Sequence, residues 1–216
     1  MATETRTPLS RDRILDAALQ LVDDGGLEAL SMRKLGQTLG VEAMSLYNHV
    51  ANKDDVVKGI LERVAAEIEA PAPTDEWDVA IRKSAISAYQ TLRRHPWAAG
   101  PMMSPAQIVR QRVGYMEALL GRIRDAGFSA DMTYHAYHVL DAHIFGFSLW
   151  QAGHAVVDAT LPDDFIDWFM REFPQDQFPH VFEHARQHSS DGPHREVSAF
   201  ELGLDLILEG LKRMRE

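Results

Sequence analysis

An all-α fold is predicted for this chain of 216 residues by three observations. Apolar residues recur at intervals of three and four, capping residues precede several of those runs, and no stretch alternates as a half-buried strand would. The first run opens after Ser10, an N-cap, with Leu9 placed to staple onto Ile14 one turn inside. Ile14, Ala18, Leu21 and Val22 fall on one face. Asp24-Gly25-Gly26 then ends the helix, because glycine enters left-handed backbone without steric penalty. Ser31 caps a second helix, Leu30 staples onto Leu35, and Leu39 continues that face until Gly40 turns the chain. In a third helix, predicted over 41–50, Val41, Leu46 and Val50 point inward. Ala43, Met44, Ser45, Tyr47 and Asn48 are left outside.

Asn52 caps a fourth helix whose buried face is Val56, Val57, Ile60, Leu61, Val64 and Ile68, and which stops near Pro71. The stretch EAPAPTDEW at 69–77 reads as a junction. A fifth helix starts around Trp77 and breaks at His95-Pro96, and WAAGPMMSP (97–105) is a kinked, methionine-rich passage. Ser104-Pro105 opens the next helix, with Ile108, Val109, Val113, Met116, Leu120 and Ile123 predicted buried and Gly127 at its end. The longest helix is predicted from Asp131 to about Gly153. A proline-interrupted region (162–179), a short helix near 180–188, the loop SSDGP and a last helix from Ser198 to Arg215 complete the chain. Two domains follow, 9–69 and 70–216.

Residues 31–53, SMRKLGQTLGVEAMSLYNHVANK, carry the functional signal. Two short helices meet at a glycine turn, the geometry of a helix-turn-helix whose second helix enters the DNA major groove. Between Ala43 and Val50 there is no acidic residue, and the outward face offers hydroxyls, an amide and an aromatic ring. A merely solvated face would carry paired Lys and Glu instead.

The run RKLGQTLGVE, then LYNHV, then NK, resembles the N-terminal domain of the TetR family of bacterial repressors over residues 9–69, and is similar to the tetracycline repressors themselves. The resemblance implies that Ser31, Arg33 and Lys34 lie at the start of a DNA-contacting unit, Arg33 against a base or phosphate. It implies that Ala43, Met44 and Ser45 read bases while Tyr47, His49 and Lys53 anchor phosphates. Asn48 stands where a tryptophan is common, and Ala43-Met44 replaces a Gln-Pro pair, so a different operator is expected. The partners so implied are a palindromic double-stranded operator, a second copy of the chain, and a small-molecule effector that releases the repressor.

Composition runs against a general nucleic-acid coat. With 22 basic and 32 acidic residues the formal charge is −10, whereas nucleic-acid-binding domains are usually basic. Placement decides the matter: Arg6, Arg11 and Arg13 precede or open the first helix, and Arg33, Lys34, Lys53 and Lys58 sit on or beside the reading unit. Such a modest positive footprint predicts binding as a dimer at specific sites, with weak non-specific affinity. The absence of cysteine excludes disulfides, thiolate zinc sites and cysteine nucleophiles. MATETRTPLS has no apolar core of a signal peptide and no apolar run reaches the ~20 residues of a membrane helix, so a cytoplasmic protein with no membrane partner is expected.

Gly146 and Gly153 are separated by two helical turns, as are Gly203 and Gly210. A glycine inside a helix costs ~1 kcal/mol relative to alanine, so the pairs ask for a compensating close approach. The resemblance implies that these two helices form a four-helix bundle between subunits; close packing within one subunit gives the same spacing. Trp97, Met102, Met103, Met116, Tyr134, Tyr137, Phe145 and Trp150 are the candidate walls of an effector site, with His138 and Asp141 to orient the ligand. The same side chains serve equally as plain core. Trp150 falls where the tetracycline repressors carry a metal-linked glutamate, and HPWAAGP has no counterpart of their metal-binding histidine, so magnesium–tetracycline chemistry is not expected. His180, His184 and His188 share a helical face, but the outer two are ~12 Å apart along it. They suit a solvated face better than one metal ion. No cofactor, no resident metal and no enzymatic activity are expected, because no acid–base constellation accompanies them. The alternatives are a small-molecule sensor or carrier without DNA binding, which Tyr47, His49 and Lys53 disfavour, and a metal-dependent enzyme.

Overall fold

The computed structural model describes residues 8–160, 165–173, 175–188 and 198–215. Among them there are helices and no strands. Helix α1 (Arg11–Gly25) begins where Ser10 Oγ accepts the Arg13 amide at 3.2 Å and ends at Gly26, whose φ of 72° requires glycine. Helix α2 (Met32–Leu39) begins in the same way, with Ser31 Oγ accepting from Lys34. Gly40, at φ 67°, turns the chain into α3 (Ala43–Leu46), and α4 (Lys53–Ala66) starts where Asn52 Oδ1 accepts the Asp55 amide at 2.9 Å. These four pack around Ile14, Ala18, Leu35, Leu46, Val56 and Ile60, all fully buried.

The third helix is shorter than its predicted span of 41–50. After Leu46 the backbone tightens: the His49 and Val50 amides both reach the Leu46 carbonyl, at 2.9 and 3.1 Å. That tightening lets Val50 turn back into the core, 3% exposed.

The rest of the chain wraps a second bundle onto the first. It contains α5 (Trp77–Arg94), α6 (Ala99–Met103), α7 (Arg110–Asp125), α8 (Ala130–Thr160), α9 (Phe165–Glu172), α10 (Pro179–His188) and α11 (Ala199–Arg215). Helix α5 lies against α8 and α11, and their seam is aromatic. Tyr89 stacks on Phe200 with ring centroids 4.0 Å apart, His143 stacks on the other side at 4.8 Å, and Tyr89 donates to Gln151 at 2.8 Å. Trp77 meets Phe128 edge-on at 5.1 Å. Each such ring removes a large apolar area from water and adds ~0.5–1.5 kcal/mol through its pairing geometry.

Three expectations are corrected here. Helix α7 starts at Arg110 rather than at Ser104-Pro105. Pro105–Gln107 makes a 3₁₀ turn and Ile108 is extended. Its buried stripe is Tyr115, Leu119 and Ile123, while Ile108, Val113 and Met116 face out. Helix α8 runs to Thr160 rather than Gly153, and the region 162–179 contains α9. The junction at 69–77 is held to α5 by hydrogen bonds and an ion pair. Ser84 Oγ donates to the Glu69 carbonyl at 2.7 Å, the Glu69 amide donates to Ser87 at 3.0 Å, Lys83 pairs with Asp75, and Pro71 is buried. One apolar core runs without a break from Ile14 to Leu211. Among the described residues no helix is long and apolar enough to cross a membrane.

Candidate DNA-reading face and effector site

The reading face is built by backbone before side chains. An added Cβ on Gly36 would lie 2.9 Å from the Val41 carbonyl oxygen and 3.2 Å from the Ala43 Cα. Only glycine lets α3 settle this closely across α2, and the Val41 amide closes the corner on the Gly36 carbonyl at 2.9 Å. So positioned, α3 presents Met44, 75% exposed, with Ala43 and Ser45 partly buried at its flanks. Tyr47, at 44%, and the exposed Asn48 and His49 follow on the tight turn. Arg33, Lys34 and Lys53 are all exposed around this face. Ser31 is exposed too, with its oxygen engaged in capping α2. Apolar Met44 at the tip with hydroxyl, amide and cationic groups around it is the chemistry of a groove reader: base edges at the centre, phosphates at the rim.

Arg11 departs from its expected place in the basic footprint. Its guanidinium holds both oxygens of Asp55 at 2.7 and 2.8 Å and reaches the His49 carbonyl at 3.4 Å. That fork and the Ala51 amide hold the Asp55 carboxyl down at about 2, below its ordinary 3.8. The pair clamps the turn that carries His49, and Asp55 is no obstacle to a phosphate. Arg63 makes a second clamp, to Asp12 at 3.0 Å and to Asp16, tying α4 to α1. Arg6 lies outside the described residues.

In the second bundle, the candidate effector residues separate into three groups. Tyr134, Tyr137, His138, Asp141 and Phe145 form one stripe of α8, since a helix turns 100° per residue. Tyr134, 60% exposed, and His138 lie at the surface end, Asp141 is half-buried, and Tyr137 and Phe145 are buried. Opposite stands Arg112 of α7, which the sequence did not single out. It pairs with Asp141, touches the Tyr137 hydroxyl at 3.3 Å, and lies 4.7 Å from the Phe145 ring centroid. Burial pushes the phenols of Tyr115 and Tyr137 upward, so both stay neutral. Met116 of α7 lies at the surface, as does Met103, whereas Met102 is buried core.

Trp97 and Trp150 lie elsewhere. Trp97 donates its indole N–H to Asp23 Oδ1 at 2.7 Å, beside His95 Nδ1, which meets the same oxygen at 2.7 Å. His95 Nε2 lies 3.3 Å from Glu67. Trp97 is therefore part of the seam between the α1–α4 unit and the second bundle. Trp150 is nine residues beyond Asp141, a rotation of half a circle at the helical repeat, so it cannot share Asp141's stripe. It is 51% exposed, against Phe147 and His154.

Trp150 instead borders the open face of α8. Nothing lies within 4 Å of a Cβ added at Gly146, Gly153 or Gly210. Val139, Leu149, Leu202 and Leu206 expose apolar surface beside them. Gly203 differs: an added Cβ would lie 2.5 Å from His143. It is a close-packing residue within the chain, where α11 crosses α8.

A groove of about 300 Å³ between α5 and α11 is a poor ligand site, because its charges are already matched. Arg82 binds Glu201 and Asp205, and Lys212 binds Asp78 and Glu209. His180 is exposed, and the side chains of His184 and His188 lie outside the described residues. Among the described residues no group of three metal-ligating side chains converges.

Residues 14–60 match the model of bacterial regulatory proteins of the tetR family, and residues 70–215 match the C-terminal domain model described as tetracyclin repressor-like. The chain is 33% identical over 140 residues to the HTH-type transcriptional repressor DrrR1 of Streptomyces coeruleorubidus, covering 64% of this chain and 52% of that one. With the class D tetracycline repressor of Escherichia coli it is 28% identical over 213 residues, covering 94% and 89%. The chain thus spans about half the length of DrrR1 but most of that tetracycline repressor. Among solved structures, apo ActR of Streptomyces coelicolor superposes with a TM-score of 0.72 at 27% identity over 97% of both chains. ActR in complex with actinorhodin superposes at 0.73 with 26% identity, covering 97% of this chain and 99% of that one.

Proposed function

Because the chain belongs to the TetR family of bacterial regulatory proteins, we propose that it is a homodimeric, sequence-specific DNA-binding repressor. A small, largely apolar ligand releases it from a palindromic operator. The observation that carries this reading is the α2–α3 corner. Gly36 brings α3 close, Met44 stands out at the tip, and Tyr47, His49 and Lys53 surround it. The division of labour is residues 9–69 for DNA and 70–216 for effector and partner.

Two such corners are needed, because half-sites lie about 34–36 Å apart and one head cannot span them. The open glycine face of α8 and α11 is the surface for a C2 partner, which must be self-complementary. The effector site is the α8 stripe with Arg112 opposite, and the solved complex of the similar ActR with actinorhodin supports a small-molecule effector. The protein works without a cofactor, catalyses no reaction and acts in the cytoplasm.

The test is selection of bound fragments from genomic DNA, followed by gel shifts on the selected sites. A palindrome bound well above random DNA is expected; equal affinity for random and selected DNA rejects the reading.

A further inference from the structure

From the pairing around Arg112 we infer that the effector is an uncharged aromatic molecule presenting a carbonyl acceptor beside a hydroxyl or N–H donor. The inference rests on the repressor reading above and names the ligand class of its effector site. Arg112 offers its guanidinium from the first turn of α7 to the α8 stripe. One terminal nitrogen, Nη2, serves both Asp141 Oδ1 and the Tyr137 hydroxyl. The other, Nη1, is buried and has no hydrogen-bond partner. A buried charged donor left open is costly, so such a group asks for an occupant that can accept. The stripe supplies the route, from the exposed rim of Tyr134 and His138, whose rings meet at 4.4 Å, inward to Tyr137, Asp141 and Phe145. The Phe145 ring, 4.7 Å from the guanidinium carbon, and the Tyr115 ring at 5.7 Å provide aromatic walls on the cation.

Charge selects the class. Asp141 already neutralises Arg112, so a carboxylate ligand would bring an uncompensated negative charge beside a half-buried aspartate. A neutral carbonyl accepts from Nη1 without that penalty, and an adjacent donor can meet the Asp141 carboxylate. Planar rings suit the exposed faces of Tyr134 and His138 at the rim.

The probes are anthracene carboxamide and anthracene carboxylate, close in shape and different in charge, with binding read by the fluorescence of the probe and by calorimetry on the full-length protein. The wild type is expected to favour the amide by about tenfold or more, the scale of one charge-assisted hydrogen bond. Asp141→Asn, which leaves Arg112 uncompensated, should reverse the preference, and Arg112→Gln, which leaves Asp141 uncompensated, should weaken binding of the amide and widen its advantage over the carboxylate. Arg112→Gln/Asp141→Asn removes both charges together and should bind the two probes alike, which keeps the test decisive if a single variant fails to fold. An unchanged preference in these variants, or no binding of either probe to the wild type, overturns the inference. Operator affinity is measured separately by anisotropy of labelled DNA. Charge selectivity as expected with no effect on operator affinity would leave the anchor standing and reject the repressor reading. Release of the operator by ligands indifferent to Arg112 and Asp141 would do the reverse.

Discussion

At the scale of single residues, the position of α3 depends on a few atoms. Gly36→Ala pushes a methyl into the backbone of Val41 and Ala43, which cannot rotate away. A loss of about 1–3 kcal/mol is expected in thermal denaturation, with operator binding weakened even where the protein remains folded. The comparison variant Gly59→Ala meets the side-chain methyls of Leu15 rather than backbone and should be the milder of the two. Asp55 makes a pH prediction. Its carboxyl is held at about 2 against an ordinary 3.8, so the clamp to Arg11 is fully present above the ordinary value. It fades as pH falls through about 2. Asp55→Asn should therefore lower stability by about 1 kcal/mol at neutral pH, with the difference from wild type vanishing in strong acid. Urea unfolding across that range checks it. Tyr47→Ala and Lys53→Ala should weaken binding to every operator alike, whereas changes at Met44 should alter which bases are preferred. Gel shifts on a panel of single-base variants separate the two behaviours.

At the scale of the element, the local punctuation of the helices was legible from sequence and their rotation about their own axes was not. Ser10, Ser31 and Asn52 cap where their types and positions say they should, because a cap is settled within four residues. Helix α7 carries two adjacent apolar stripes, and only tertiary packing decides between Tyr115-Leu119-Ile123 and Val113-Met116-Leu120. Arg112 escaped notice because a lone arginine in a helix resembles a solvated one until Asp141 is seen opposite it. The glycines divide for the same reason, since spacing cannot tell a face open to a partner from one closed by His143. Gly146→Leu and Gly210→Leu should retain helicity and stability as monomers while lowering dimer formation, visible in sedimentation. Gly203→Leu should instead strike His143 and loosen its stack on Phe200, with a large loss of thermal stability. Unchanged dimers in both Gly146→Leu and Gly210→Leu would remove this face as the interface.

At the scale of the whole molecule, the α1–α4 unit (the proposed reading head) and the second bundle (the proposed ligand-binding body) are joined by a seam and by a common core. Asp23 at the end of α1 takes both the Trp97 indole N–H and His95, while Glu67 beyond α4 takes His95 and Arg94. Movement of the head is therefore a sliding of packed surfaces against these contacts, and ligand binding can be coupled to it only if the two positions bind ligand unequally. Head and body are expected to unfold in one cooperative step, with tryptophan fluorescence and circular dichroism giving coincident urea transitions. Asp23→Ala should red-shift Trp97 emission and pull the two transitions apart. The seam also bears on how such regulators can be recombined. A head transplanted from a relative lacking a carboxylate at Asp23's position would strand the Trp97 N–H and one His95 nitrogen against an apolar wall. A chimera with new operator specificity would then keep its DNA affinity and lose its obedience to ligand. Transferring Asp23 and Glu67 with the body is the smallest graft that preserves the connection.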